Sequence, residues 1–158
     1  MRAARSFAAG LDSAAVARVQ IELYGSLGLT GRGHGTDRAV ILGLLGEEPD
    51  LVDPAGIEGL VRGVRENQRL ALMGAAAIPF EETRDLLFRG DIVLPGHPNG
   101  MRFTAFGSVG AITANGSFFS ASTASSTVAK LSSAYCAQSA MESVGLEVVG
   151  VPYSDSAR

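Results

Sequence analysis

Residues 94–106, with the sequence LPGHPNGMRFTAF, combine a rigid turn with an alternating strand. Pro98 fixes its own backbone angle and favours an extended His97, while the two nearby glycines permit turns on either side. From Met101 onward apolar and polar side chains alternate, which is typical of a strand with one buried face. The stretch therefore predicts a strand that begins at a turn presenting the side chains of His97 and Asn99. Pro-Asn-Gly is also an ordinary β-turn, and that interpretation needs no function.

A second histidine, His34, lies far upstream in the sequence GRGHGTD, directly before an apolar run. Five glycines among residues 25–35 predict a loop, and residues 39–45 predict a short buried helix. We expect Thr36 or Asp37 to cap this helix. The start of a helix favours an anion, such as a substrate carboxylate, beside His34. A buried structural histidine, or a flexible surface loop, is the alternative.

The remaining pattern predicts an α+β fold: a mixed, largely antiparallel sheet of about four to five strands, with helices packed on one face. Residues 16–24 alternate clearly between apolar and polar side chains and predict a half-buried strand. Asp53 and Pro54 predict the start of an amphipathic helix. A further helix is expected over residues 1–11, and further strands over residues 69–73, 85–88, 92–94 and 109–113.

Length and charge exclude several classes of protein. The 158-residue chain has 13 Lys and Arg against 16 Asp and Glu, which gives a net charge of −3. This length fits one domain, and the charge lacks the basic character of nucleic-acid or anionic-membrane binding. No apolar run reaches the roughly 18 residues that a membrane span requires. Because Cys136 is the only cysteine, no intrachain disulfide is possible. We therefore expect a cytoplasmic protein that binds neither nucleic acid nor membranes.

Several of these segments resemble the β domain of iron–sulfur-dependent L-serine dehydratase, also called L-serine ammonia-lyase. The resemblance rests on four motifs and on their order along the chain. These are ELYGSL at residues 22–27, GHGTD at 33–37, VDP at 52–54 and LPGHPNGMRFTAF at 94–106.

The resemblance extends from Met1 to about Phe119, so residues 1–119 are expected to form a serine dehydratase β-type domain. Family members carry a Gly-Ser-His-Thr stretch ahead of the position of Met1. The sequence is therefore expected to be truncated at its N-terminus, either because the start codon was set too late, which we favour, or because the protein is truly truncated. Residues 120–158 form a divergent tail, rich in Ser and Ala, that does not match the family. A helix over 128–144 and a strand over 146–151 are predicted there, and a frameshift or truncated gene would produce this divergence.

In this family, deamination of L-serine to pyruvate and ammonia depends on a [4Fe–4S] cluster, one iron of which acts as Lewis acid. A single cysteine cannot supply the thiolates for such a cluster. The resemblance therefore implies that the cluster belongs to an α domain or subunit, that this fragment is inactive alone, and that it assembles as a homo- or hetero-oligomer. The implied catalytic residues are His34 and His97, and the implied substrate-binding residues are Thr36, Asp37, Asn99 and Arg102. For Arg102, a surface ion pair is the alternative.

Two other functions stay open at this point. A related domain in some 3-phosphoglycerate dehydrogenases binds amino acids without catalysis, so a regulatory amino-acid-binding module is one alternative. A metal-dependent hydrolase is the other, although two isolated histidines lack the clustered ligand spacing typical of zinc sites.

Overall fold

The structure is a computed structural model that describes residues 1–94, 98–108, 110–119 and 129–132. Its helices are α1 (Arg2–Ala9), α2 (Ser26–Thr30), α3 (Thr36–Leu45), α4 (Ile57–Asn67) and α5 (Glu82–Asp85). Its strands are β1 (Arg18–Gly25), β2 (Arg69–Leu72), β3 (Ala76–Pro79), β4 (Leu86–Arg89), β5 (Asn99–Phe106), β6 (Ile112–Phe119) and β7 (Ala129–Ser132).

The central sheet has the strand order β4-β1-β5-β6-β7. Strand β1 pairs in parallel with β4 and antiparallel with β5, and the pairs β5–β6 and β6–β7 are antiparallel. Strands β2 and β3 form a separate antiparallel hairpin. The predicted α+β fold with a mixed, largely antiparallel sheet is confirmed.

One face of the sheet is apolar and packs against the helices. In β1 the side chains of Val19, Ile21 and Leu23 are fully buried, as their alternation predicts. Opposite Ile21, Phe103 of β5 stacks on Phe7 of α1 with ring centroids 5.3 Å apart. The same ring meets Phe118 of β6 edge-on, also at 5.3 Å. Side chains of α3 and α4 complete this core: Val40, Ile41, Leu42, Leu44, Val61 and Val64.

Helices α1 and α3 approach each other unusually closely at Gly43. A Cβ atom on Gly43 would lie 2.9 Å from the Cβ of Ala4 and would collide with the Met1 carbonyl oxygen. Glycine lowers helix propensity, but here its missing side chain lets the two helices come into contact. The predicted helix over residues 1–11 is confirmed as α1.

Several predicted boundaries are wrong. Helix α2 lies inside the predicted loop 25–35, and residues 92–94 are not a strand. The hairpin partner of β5 is β6, which begins at Ile112 and extends well beyond the predicted 109–113. Asp53 accepts a hydrogen bond from the backbone of Ala55 in a turn, and α4 begins only at Ile57.

The predicted tail is mostly outside the described residues. Residues 129–132 form β7 rather than part of the predicted helix over 128–144. The remainder of that helix and the predicted strand over 146–151 lie outside the part of the chain that the structure describes.

Candidate functional site

Helix α2 connects the two turns that the sequence singled out. At its start, the amide of Ser26 donates a hydrogen bond to the Pro98 carbonyl oxygen at 3.1 Å. At its end, the amide of His34 donates to the carbonyl oxygen of Thr30 at 3.2 Å. Because α2 has only five residues, it is about 7.5 Å long. The backbone around Pro98 and the turn around His34 therefore lie at opposite ends of one short helix, on the same edge of the sheet. His97 lies outside the described residues.

Glycines spaced three residues apart let α2 lie against this edge. Gly25 has φ +55°, and a Cβ atom there would collide with the carbonyl oxygen of Pro98. On Gly28 a Cβ would lie 2.5 Å from the backbone nitrogen of Gly90, and on Gly31 it would lie 3.1 Å from a ring carbon of Phe88. The helix is thus positioned by backbone contacts that a side chain would prevent, which explains why a glycine-rich segment is nevertheless regular.

The side chain of His34 is exposed, in the turn between α2 and α3. Its imidazole makes no hydrogen bond or ion pair with any described residue, so its position depends on the backbone of the turn. Arg32 in the same turn places its guanidinium 4.6 Å above the centre of the Phe88 ring, which attaches the turn to β4. Gly35, with φ +69°, ends the turn.

The predicted helix cap is wrong. The N-cap of α3 is Gly35, which has no side chain, and both Thr36 and Asp37 already lie inside the helix. The amides of Asp37 and Arg38 have no acceptor within the described residues. Within the described part of the chain, the start of α3 therefore has two unpaired N–H donors close to His34, as an anion-binding helix end would require.

The carboxylate of Asp37 forms an ion pair and does not hydrogen-bond to His34. Its Oδ2 accepts a hydrogen bond from Nη2 of Arg65 in α4 at 2.7 Å, while its buried Oδ1 has no partner among the described residues. Arg65 also contacts Glu82 of α5 through two hydrogen bonds, at 2.7 and 3.2 Å. Hydrogen bonding to Glu82, with a further contribution from Asp37, raises the pKa of Arg65. Sequence reasoning missed Arg65, because it lies 28 residues from Asp37 and no local pattern connects them.

The two candidates on β5 point to different sides of the sheet. Asn99 is half-buried and pairs with Gly25 at the edge where α2 begins. Because side chains alternate along a strand, Arg102 projects from the opposite face. There its Nη1 lies 3.9 Å from Oε2 of Glu22, and its guanidinium lies 5.5 Å from the centre of the Tyr24 ring. The structure brings Asn99 to the site edge, whereas Arg102 makes the surface ion pair that the sequence left as the alternative.

The described residues do not fit an iron–sulfur cluster. No group of three or more His, Cys, Asp or Glu side chains in this part of the chain could bind a metal ion, and Cys136 lies outside it. The described helices also include none long and apolar enough to cross a membrane. A shallow cavity of about 210 Å³ lies between α4 and residues 80–83, lined by Arg65 and Glu82 but by none of the predicted site residues.

Comparison with known proteins gives one family. The profile of the serine dehydratase beta chain matches residues 1–124. An L-serine dehydratase of Streptomyces coelicolor is 40% identical over 124 residues, which cover 76% of this chain and 27% of that protein. L-serine dehydratase 1 of Escherichia coli is 45% identical over 97 residues, covering 61% of this chain and 21% of that enzyme. An L-serine dehydratase of Mycobacterium tuberculosis is 37% identical over 124 residues, with 76% and 27% coverage. The chain thus spans about a quarter of the length of the curated relatives that it matches.

Proposed function

Because the chain belongs to the serine dehydratase beta chain family, we propose that it supplies the β domain of an L-serine dehydratase. The reaction would convert L-serine to pyruvate and ammonia, which makes the assembled protein an L-serine ammonia-lyase. The observation that carries this proposal is the short helix α2, which connects the turn of His34 to the segment of Pro98 and Asn99.

We propose a division of labour between this chain and an α domain or subunit. The family is iron–sulfur-dependent, but the described residues offer no cluster ligands, so the [4Fe–4S] cluster would belong to the α partner. The chain would then be inactive alone and would act within a homo- or hetero-oligomer. The cytoplasmic location remains a prediction from the sequence.

The chain's own share of the chemistry would be proton transfer and substrate binding. β-Elimination removes the α-proton and the hydroxyl group of serine, and the aminoacrylate product tautomerises to an imine that water hydrolyses to pyruvate and ammonia. Imidazoles transfer protons near neutral pH, so His34 and His97 are the proposed catalytic residues.

Substrate binding would use groups at the same edge. The amides of Asp37 and Arg38, which have no acceptor among the described residues, would donate hydrogen bonds to the serine carboxylate, with the hydroxyl of Thr36 beside them. Asn99 has an amide that can both donate and accept hydrogen bonds to an amino acid. The substrate contacts of Asp37 and Arg102 stay predictions. Asp37 pairs with Arg65 at 2.7 Å and Arg102 with Glu22 at 3.9 Å, so each would have to share its charge with a substrate.

The test is reconstitution with a candidate α partner under anaerobic conditions, followed by a pyruvate assay. We expect activity only with both components present. In the assembled enzyme, His34→Gln and His97→Ala should each lower turnover by about 100-fold or more, the usual effect of removing a general acid or base. Cluster absorbance should persist in both variants and serves as the control for assembly. Turnover within twofold of the parent would remove that histidine from the site.

A second candidate function uses the same site. A non-catalytic amino-acid-binding module, related to the ligand-sensing domain of some 3-phosphoglycerate dehydrogenases, would need only the carboxylate-binding amides of α3. Isothermal titration calorimetry distinguishes the two: saturable serine binding by this chain without a partner, combined with no pyruvate formation in the reconstituted mixture, favours the module.

A further inference from the structure

We infer that Arg65 is a positioning residue for the turn of His34 and acts through Asp37. This inference rests on the proposed function and assigns a role to a residue far from the histidine motifs. Arg65 bridges two carboxylates on two different helices: Asp37 in the first turn of α3, at 2.7 Å, and Glu82 in α5, at 2.7 and 3.2 Å.

The environment of Asp37 makes this bridge necessary. The residue is only 9% exposed, and one carboxylate oxygen is buried without a partner among the described residues. A buried carboxylate that loses its cation is left uncompensated, which is strongly unfavourable. The planar guanidinium of Arg65 matches Glu82 through two parallel hydrogen bonds, so its direction is well defined. The first turn of α3 is thereby fixed relative to both α4 and α5.

The start of α3 and the turn of His34 are one connected backbone unit. The amide of Thr36 donates to the Gly31 carbonyl oxygen at 2.8 Å, and that of Ala39 donates to Gly35 at 3.0 Å. Because the imidazole of His34 is exposed and has no partner among the described residues, these backbone bonds alone fix the point from which its side chain projects. A change in the position of Asp37 would therefore move His34, three residues earlier in the chain.

The test uses the fact that the chain contains only two histidines. Proton NMR of the complete chain resolves two imidazole Cε1–H resonances, and His34→Gln assigns them. We expect Arg65→Met to shift or broaden the His34 resonance, because the ion pair that fixes Asp37 is lost. Arg62→Met is the matched control on the same helix, since Arg62 is exposed and forms no ion pair with any described residue.

A double variant separates positioning from simple charge burial. Asp37→Asn with Arg65→Met removes both charges, so it should recover melting temperature relative to Arg65→Met alone. If Arg65 positions the turn, the His34 resonance stays displaced in the double variant. In the reconstituted enzyme its kcat stays about 10-fold or more below the parent while KM changes less than twofold, since a misplaced catalytic group loses rate.

Milder changes keep the inference testable if Arg65→Met does not fold. Arg65→Lys keeps the charge but loses the bidentate geometry, and Glu82→Gln weakens the bridge from its outer end. Both should shift the His34 resonance in the same direction, and by less than Arg65→Met does. An unshifted resonance in both folded variants overturns the inference. The NMR result does not depend on activity. A failed pyruvate assay together with a displaced His34 resonance would therefore refute the proposed function, while the coupling between Arg65 and the turn of His34 would stand.

Discussion

The apolar face of the sheet and the edge that bears α2 are assembled in opposite ways. On the apolar face, side chains fill space: the ring of Phe103 lies between those of Phe7 and Phe118. At the edge, missing side chains allow contact: Gly25 meets the backbone of Pro98 and Gly28 that of Gly90. Stability depends mainly on the volume buried in the first region. Side-chain position at the candidate site depends on backbone contacts in the second, so mutations should separate the two properties.

The largest effect on stability is expected from Phe103→Ala. Removing a fully buried aromatic ring typically costs about 3–5 kcal/mol in the free energy of unfolding, from lost transfer energy and the cavity that remains. Urea denaturation measures this loss. In conditions where the variant is folded, the His34 resonance should be unchanged, since Phe103 does not touch the turn. Phe103→Leu is the control and should cost much less. A displaced His34 resonance in folded Phe103→Ala would contradict the separation of the two regions.

A smaller loss of stability but a larger change at the site is expected from Gly25→Ala. The new Cβ would collide with the Pro98 carbonyl oxygen, and alanine disfavours φ +55°, so we expect a loss of about 2–3 kcal/mol. The His34 resonance should shift as α2 is displaced. Gly59→Ala is the matched control: nothing lies within 4 Å of its Cβ position in α4, and a gain of about 0.5–1 kcal/mol is expected. A His34 resonance at the same position in Gly25→Ala and in the parent would contradict the role of the edge glycines.

The smallest effect concerns the polar face of the sheet, where Tyr24 lies beside Glu22 and Arg102. Burial, followed by hydrogen bonding to Glu22, raises the pKa of Tyr24, and Arg102 partly opposes this. The contribution of this raised pKa to the free energy of unfolding is fully present below the ordinary tyrosine pKa of about 10. It is lost as pH rises through the higher pKa of the folded state. The free energy of unfolding of Tyr24→Phe should therefore fall less steeply with pH above about 10 than that of the parent. Urea denaturation across that pH range measures it. An identical pH dependence of the free energy of unfolding in both proteins would show that folding does not raise the pKa of Tyr24.

The parts of the fold that follow from local pattern were predicted well. The alternation in β1 and β5 gave the buried face of each strand, because every second side chain packs into the same core. The glycine-rich helix α2 was missed, since Gly28 lies against Gly90 and the C-cap residue Gly31 against Phe88, and no local propensity reports these close approaches. Strand β4, the parallel neighbour of β1, was predicted as a strand. Its place beside β1 was not, because the paired residues of the two strands are 65 positions apart in the chain.

At the candidate site, too, features that follow from local pattern were predicted and features that depend on distant contacts were not. His34 and Asn99 lie near opposite ends of helix α2. The convergence of His34 with His97 stays a prediction, because His97 lies outside the described residues. Asp37 was expected to cap a helix or bind substrate. Its ion pair with Arg65 depends on how α3 and α4 pack, and that packing could not be deduced from either segment alone.

The central position of β1 has a consequence for how the protein folds during synthesis. Both neighbours of this early strand come from much later in the chain: residues 86–89 on one side and residues 99–106 on the other. Pairings of such long sequence separation form slowly, because the intervening chain must first lose much of its freedom. While the ribosome is still translating the middle of the message, β1 has two unsatisfied edges and an uncovered apolar face, the combination that promotes aggregation and recruits chaperones.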